Sequence, residues 1–171
     1  MGQADQRILP DRYQVSPRTL CFVTSDDAVL LLRGAPDKRI WPDQYNGVGG
    51  HVKPDEDVRA AALREVREET GLTVDDLRLR GIVNIPVDNG RQGILIFVFT
   101  GVAKDGDVRP SPEGTPEWIP CDQIHGLDLV EDLPVMLPRI LAMGPEDPPF
   151  FALYTYDEDD RLSVTYGSPT A

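Results

Sequence analysis

GGHVKPDEDVRAAALREVREETGLTV, residues 49–74, is the segment from which most of the architecture can be inferred. Its apolar residues Val58, Ala62 and Val66 recur at every fourth position, which places them along one side of an α-helix. Leu63 widens this apolar stripe, so we expect that side of the helix to face a core. We expect the charged side chains to lie mainly on its other faces: Arg64, Glu65, Glu68 and Glu69.

Both ends of this helix are marked in the sequence. Acidic residues at Asp55 to Asp57 suit a helix start, because Asp caps free N–H groups and complements the helix dipole. Gly71 follows Thr70 and suits the left-handed residue that ends many helices. The sequence therefore predicts a helix from about residue 56 to residue 70.

Three glutamates, Glu65, Glu68 and Glu69, are crowded on adjoining parts of this helix. Like charges four positions apart destabilise a helix by roughly 0.2–0.5 kcal/mol per pair. Carboxylates are hard oxygen ligands, so Mg²⁺ bound among them would offset the repulsion. The alternative is an ordinary solvated acidic face, which is the usual explanation of an isolated acidic helix.

The spacing of the whole segment separates these alternatives. It reads G-x5-E-x7-R-E-U-x-E-E-x-G-U, with U apolar, and resembles the signature of the Nudix hydrolase family at every fixed position. The matching residues are Gly50, Glu56, Arg64, Glu65, Val66, Glu68, Glu69, Gly71 and Leu72. So many matches across so short a segment favour a catalytic metal-binding helix over a solvated face.

The resemblance implies a fold and a chemistry. Nudix hydrolases are α/β/α sandwiches, of mixed α/β or α+β class, with a mixed β-sheet and a loop–helix–loop catalytic motif. They cleave a P–O–P bond in nucleoside diphosphates linked to another group. The resemblance implies Mg²⁺ or Mn²⁺ as cofactor, with these ligands: Gly50 through its carbonyl, Glu65, Glu68 and Glu69. Arg64 joins the catalytic set by holding a helix carboxylate or bracing Glu56.

Further segments resemble the MutT and oxidised-purine nucleoside triphosphatase (8-oxo-dGTPase-like) subgroup. YNGVGGHV is similar to WNGFGGKV of that subgroup, and PEGTPEWIPCDQI, LVEDLPVMLP and the last two strands also have counterparts. The resemblance implies that Asn46 contacts a purine and that Glu131 and Asp132 read its edge. It also implies that Glu113 lies near the metal, as ligand or general base.

Each of these assignments has an alternative. Asn46 begins an ordinary Asn-Gly turn, Glu113 suits a solvated loop, and Asp132 suits a helix cap. Lys38 can neutralise substrate phosphates or be a surface charge. The subgroup's aromatic platform is missing from this chain, where Val130 precedes the acidic pair. Trp41, Tyr45 and Trp118 are candidates for lining a base pocket, although Trp118 suits a core.

The rest of the chain suggests strands around two helices. TLCFVT from Thr19 and VLLLR to Arg33 predict a hairpin, and LRLRGIVNIPV and GILIFVFTGV predict a second one across DNGRQ. EWIP suggests a short strand, residues 132–143 a second helix, and FFALYTY with RLSVTY a final hairpin. We expect a flexible arm over residues 1–16, one domain over 17–167 and a tail over 168–171.

The composition argues against several classes of function. The chain has 171 residues, with 17 basic and 29 acidic side chains and a net charge of −12, which argues against binding nucleic acid or an anionic membrane. It has no segment resembling a signal peptide or a membrane span. Two cysteines without a disulfide pattern, Cys21 and Cys121, indicate a reducing compartment, so we expect a cytoplasmic protein.

The sequence alone therefore leaves three candidate functions. The leading hypothesis is Mg²⁺-dependent hydrolysis of a nucleoside triphosphate, including oxidised purines, to a nucleoside monophosphate and pyrophosphate. The second is a pyrophosphatase for ADP-ribose, a nucleotide sugar or a dinucleotide. The third is a non-catalytic nucleotide sensor, which the complete REVREE segment argues against. The expected partner is a small nucleotide, and the oligomeric state is left open.

Overall fold

A computed structural model describes residue 2, residues 5–7, residues 9–103 and residues 107–167. The expected C-terminal tail over residues 168–171 lies outside the described residues. So does part of the polar loop that precedes the EWIP segment. Within the described part of the chain, no helix is both long and apolar enough to cross a membrane.

One mixed β-sheet forms the centre of the molecule. Its eight strands are β1 (Gln14–Ser25), β2 (Ala28–Gly34), β3 (Tyr45–Asn46), β4 (Val74–Val87), β5 (Gln92–Ala103), β6 (Gly114–Pro120), β7 (Phe150–Tyr156) and β8 (Leu162–Tyr166). Their order across the sheet is β3-β2-β1-β5-β4-β7-β8, and β6 pairs with β2. In the part of the chain that the structure describes, two α-helices accompany them: α1 (Val58–Thr70) and α2 (Leu133–Leu141).

The three hairpins predicted from the sequence are confirmed. Strands β1 and β2, β4 and β5, and β7 and β8 each pair antiparallel. The pairs β1–β5 and β4–β7 are parallel, which makes the sheet mixed. The first strand begins at Gln14, earlier than the expected Thr19, because Gln14 already pairs with Gln92 of β5.

Alternate residues of the central strands feed two separate cores. Leu20 and Phe22 of β1 join the core beneath α2, whereas Cys21 and Val23 join the core beneath α1. Neighbouring side chains of a strand point to opposite faces, so one strand supplies both cores. The sheet is therefore covered by a helix on each face, which is the expected α/β/α sandwich.

Helix α1 has the predicted ends. The Asp57 carboxylate accepts hydrogen bonds from the N–H groups of Arg59 and Ala60, and Gly71 has a φ of 82°. Ala62 and Val66 are fully buried, as the apolar stripe predicts. The expectation that the charged side chains lie away from the core was wrong for one carboxylate. Glu69 is only 7% exposed and lies next to the buried face of the helix.

Helix α2 begins one residue after Asp132, close to the predicted position. Asp132 occupies the capping position, but its side chain makes no capping hydrogen bond. Its backbone is already in the helical region, with φ −87° and ψ −19°, whereas a capping residue normally has an extended conformation. The capping explanation for this carboxylate is therefore wrong, and its side chain is available for another role.

Candidate active site

The loop before α1 is fastened to the edge of β1 by backbone hydrogen bonds. The Thr19 N–H donates to the Gly50 carbonyl over 2.8 Å, and Cys21 and Val48 exchange two bonds of 2.7 and 3.0 Å. A Cβ atom on Gly49 would lie 2.1 Å from the Thr19 carbonyl oxygen. Only glycine fits so close to β1, which explains why the helix is preceded by a Gly-Gly pair.

Arg64 connects the carboxylates of this loop and helix. Its Nε and Nη2 atoms bind the two oxygens of Glu56, at 3.0 and 2.6 Å. Its Nη1 atom donates to Glu65 at 2.8 Å and to Glu68 at 3.0 Å. The structure therefore contains both contacts that the sequence left as alternatives for Arg64. The paired guanidinium lowers the pKa of Glu56 to about 2.

Glu69 lies in the least solvated position of the acidic group. Burial raises the pKa of its carboxyl to about 8, and the negative charges of Glu65 and Glu113 contribute. One oxygen accepts a 3.3 Å hydrogen bond from the Gly49 N–H, which acts in the opposite direction. The charge of Lys38 also lowers this pKa, but it is a smaller effect than burial and the neighbouring carboxylates.

The donor set fits a hard divalent cation. Glu65, Glu68, Glu69 and the Gly50 carbonyl supply only oxygen atoms, as Mg²⁺ and Mn²⁺ prefer. A Cβ atom on Gly50 would lie 2.6 Å from a Glu65 oxygen, so this carboxylate is pressed against the loop backbone. Among the described residues, no three acidic, His or Cys side chains are already arranged to hold a metal ion. Arg64 contacts two of the proposed ligands, Glu65 and Glu68.

Two other predicted residues meet beside this group. The ammonium of Lys38 lies 2.7 Å from an oxygen of Glu113, so these residues form an ion pair. Both line a small side cavity together with Glu69. Glu113 thus lies next to the acidic group, as predicted. Lys38 pairs with Glu113 and neutralises its charge.

A cavity of about 690 Å³ extends from the acidic group across the sheet. Glu65, Glu68 and Glu69 line one part of it, and Asn46 and Asp132 line another. Pockets for small molecules usually measure about 300–1,000 Å³, so this cavity can hold a nucleotide. The structure therefore brings the predicted metal ligands and the predicted base-contacting residues to a single cavity.

Tyr45 links the two segments that carry the predicted base contacts, Asn46 and Asp132. Its N–H donates to the Asp128 carbonyl over 2.8 Å, and its carbonyl accepts from the Val130 N–H over 3.0 Å. Its hydroxyl donates to Glu117 over 2.9 Å. Tyr45 thus sets the separation of Asn46 from the start of α2 rather than lining the cavity.

Asp132 occupies a poorly solvated position at the cavity wall. Burial raises the pKa of its carboxyl to about 6, and the charge of Glu131 acts in the same direction. The Tyr154 hydroxyl lies near enough to influence it, yet that buried hydroxyl makes no hydrogen bond of acceptable geometry with the described residues. Glu131 is exposed, and its Oε1 accepts a 3.1 Å bond from the Leu162 N–H.

The three aromatic candidates lie in different places: Trp41 lines the cavity as predicted, and Trp118 has the core position, beneath α1, that was its alternative. The sequence reasoning missed Tyr156, which lines the cavity and is 49% exposed. It lies at the end of β7, two residues after Tyr154, and this period-two spacing was a signal that could have identified it.

Comparison with known proteins identifies the family to which the chain belongs. The NUDIX domain model matches residues 15–140. A mouse protein named oxidized purine nucleoside triphosphate hydrolase is 31% identical over 123 residues, covering 72% of this chain and 78% of its own length. Its zebrafish namesake is 30% identical over 130 residues, covering 74% and 82%. The NAD-capped RNA hydrolase NudC of Pseudomonas aeruginosa is 30% identical, but the match covers only 39% of that protein.

Solved structures agree with this placement. The crystal structure of a MutT protein from Bacillus halodurans superimposes with a TM-score of 0.75 at 26% identity, covering 89% of this chain and 97% of that one. A MutT protein from Methanosarcina mazei Go1 gives a TM-score of 0.60 at 26% identity, covering 78% and 96%. The chain belongs to the Nudix family and is a hydrolase of nucleotide phosphoanhydride bonds.

Proposed function

We propose that this enzyme hydrolyses a purine nucleoside triphosphate to the nucleoside monophosphate and pyrophosphate, with Mg²⁺ as its cofactor. The observation that carries the proposal is the single cavity of about 690 Å³, which contains both the acidic end of α1 and the polar groups Asn46 and Asp132. A triphosphate can extend to the first of these while its base reaches the second.

At the phosphate end, the chain supplies the oxygen donors. Glu65, Glu68, Glu69 and the Gly50 carbonyl would hold the divalent cation, for which Mn²⁺ is the natural substitute. When bound, such a cation neutralises phosphate charge and favours ionisation of water. Arg64 orients Glu65 and Glu68 for this task through its contacts of 2.8 and 3.0 Å.

Glu113 is the proposed general base. It lines the same cavity as the helix carboxylates, and its negative charge acts on Glu69. In hydrolysis, the oxygen of a water molecule bonds to a phosphorus and the P–O–P bridge breaks. The water loses a proton in this step. Glu113 would accept that proton, and its ion-pair partner Lys38 would then be free to turn towards the phosphates.

At the base end, Asn46 and Asp132 offer a mixture of hydrogen-bond donors and acceptors. Asp132 has a raised pKa, so its carboxyl is available in both protonation states near pH 6. Tyr156 supplies an exposed aromatic surface for stacking, although Val130 stands where the subgroup has its aromatic platform. Together with the names of the mouse and zebrafish relatives, this supports an oxidised purine as the base.

The test is a comparison of nucleotides. The purified protein is incubated with Mg²⁺ and with dGTP, 8-oxo-dGTP, 2-hydroxy-dATP, ADP-ribose and NADH, and the products are separated chromatographically. The proposal expects monophosphate and pyrophosphate from a purine triphosphate. Hydrolysis of only ADP-ribose or the dinucleotide would instead favour the second function, which the NudC similarity supports. Binding without any product would identify a sensor.

A further inference from the structure

The walls of the cavity are strongly acidic, which poses a difficulty for a polyphosphate substrate. Six carboxylate side chains line it: Glu65, Glu68, Glu69, Glu113, Glu131 and Asp132. Among the described lining residues, only Arg18 and Lys53 carry a cationic Lys or Arg side chain. Neither has been given a role so far, and Arg18 is the more enclosed of the two.

The position of Arg18 along β1 places it at the phosphate end of the cavity. Arg18 forms an isolated antiparallel bridge with His51, which follows the Gly-Gly pair. Its neighbour Thr19 donates its N–H to the Gly50 carbonyl over 2.8 Å. Arg18 is therefore adjacent in the sheet to the loop that carries one of the proposed metal donors.

The base end lies in the opposite direction along the same strand. A Cβ atom on Gly47 would meet the side chains of Leu20 and Phe22 at 2.8 and 2.9 Å. Asn46, the proposed base contact, directly precedes this glycine. From Arg18 to Leu20, β1 therefore passes from the loop with the proposed metal donor towards the proposed base contact.

The guanidinium of Arg18 is available to an incoming anion. Its Nε atom is buried, and among the described residues it has no hydrogen-bond partner. Three of the six cavity carboxylates are paired with other cations: Glu65 and Glu68 contact Arg64, and Glu113 contacts Lys38. A buried N–H donor without a partner is unfavourable, so a ligand that supplies an acceptor is stabilised.

We propose that Arg18 binds a phosphate group of the substrate beside the loop that carries the Gly50 carbonyl. The planar guanidinium offers parallel N–H donors that match two phosphate oxygens. Arg18 is therefore a substrate-binding residue that offsets the repulsion between the phosphates and the carboxylate walls. This inference rests on the proposed function, because it assumes a nucleoside polyphosphate.

The test separates phosphate binding from base binding. Calorimetric titrations with Mg²⁺ present use imidodiphosphate, deoxyguanosine and α,β-imido-dGTP on the wild type and on the Arg18→Gln and Arg18→Lys variants. Arg91→Gln is the matched control, since Arg91 is an exposed arginine in the β4–β5 connection and does not line the cavity. Thermal unfolding of all four proteins verifies that they are folded.

We expect Arg18→Gln to weaken binding of imidodiphosphate and α,β-imido-dGTP by about 10- to 100-fold, as when a hydrogen bond to a charged group is lost. Deoxyguanosine binding should stay unchanged, Arg18→Lys should be intermediate, and Arg91→Gln should resemble the wild type. Phosphate binding within about twofold of the wild type in Arg18→Gln would overturn the inference, as would equal weakening of deoxyguanosine.

The outcome for Arg18 is independent of the outcome for the proposed function. If the wild type hydrolyses no nucleoside triphosphate, the proposed function fails, yet the imidodiphosphate titration still reports on Arg18. If Arg18→Gln does not fold, Arg18→Lys decides, because it keeps the charge and loses the planar fork. Unchanged imidodiphosphate binding in Arg18→Lys would then contradict a role for the guanidinium geometry.

Discussion

Replacing Glu69 by Gln should stabilise the metal-free protein while abolishing its activity. The substitution keeps the volume of the side chain and an oxygen that can accept the 3.3 Å bond from the Gly49 N–H. It removes a carboxyl that is 7% exposed and whose ionised form is disfavoured by burial and by the charges of Glu65 and Glu113. The wild-type fold therefore carries an electrostatic penalty that a bound cation would relieve.

The magnitude follows from the pKa of Glu69. That pKa is raised from 4.5 to about 8 in the folded protein, so the carboxyl is mostly protonated at pH 7, whereas it is ionised in the unfolded chain. The unfolded chain thus loses a proton that the fold retains, which destabilises the fold by about 3 kcal/mol at pH 7. For a chain of this size the melting temperature should rise by about 6–12 °C in Glu69→Gln.

The sign of the pH dependence is also determined. Because the folded pKa of Glu69 lies above the unfolded value, stability is greatest below pH 4.5 and decreases as the pH rises towards about 8. In Glu69→Gln this part of the decrease should be absent. Urea unfolding in EDTA, followed by tryptophan fluorescence between pH 5 and pH 8, measures both effects.

Glu68→Gln is the matched control. Glu68 is on the same helix, but its side chain is 54% exposed, so its removal should change metal-free stability by less than about 1 kcal/mol. Added Mg²⁺ should raise the stability of the wild type and not that of Glu69→Gln. The reasoning is refuted if Glu69→Gln is no more stable than the wild type at pH 7, or if wild-type stability is constant between pH 5 and pH 8.

Three further predictions concern other parts of the site. Gly50→Ala should lower kcat/KM by about 100-fold, because its Cβ would displace the Glu65 carboxylate, which lies 2.6 Å away; normal steady-state kinetics would contradict this. Arg64→Lys keeps the charge but loses the fork that spans Glu56, Glu65 and Glu68, so kcat should fall although circular dichroism stays native. The folded pKa of Asp132 is raised, so the stability of the wild type should fall between pH 3.8 and about 6, and Asp132→Asn should remove this fall. Urea unfolding measures the pH profile, and an unaltered profile would argue against the burial of Asp132.

Local patterns in the sequence were sufficient to predict helix α1 and the hairpins. The apolar spacing of α1, its Asp57 cap and its Gly71 end are all determined by neighbours within a few residues. The same holds for the spacing of Gly50, Arg64 and the three glutamates that identifies the family. The site roles of those residues remain predictions.

Features that depend on distant parts of the chain could not be inferred in this way. The early start of β1 at Gln14 results from parallel pairing with Gln92, far along the sequence. The burial of Glu69 results from the packing of the Gly49 loop against β1. Tyr156 becomes a cavity residue through the pairing of β7 with β4 and β8, and it lies near Glu131 and Asp132 rather than near α1.

We propose that the carboxylates of α1 support hydrolysis of a purine nucleoside triphosphate between its α- and β-phosphates. Hydrolysis in ¹⁸O-labelled water with Mg²⁺, followed by mass spectrometry of both products, tests it most directly. We predict a monophosphate and pyrophosphate, with one labelled oxygen in one of the two products and no turnover in Glu68→Gln or Glu69→Gln. Release of inorganic phosphate and a diphosphate, or unchanged turnover in either variant, would contradict the account.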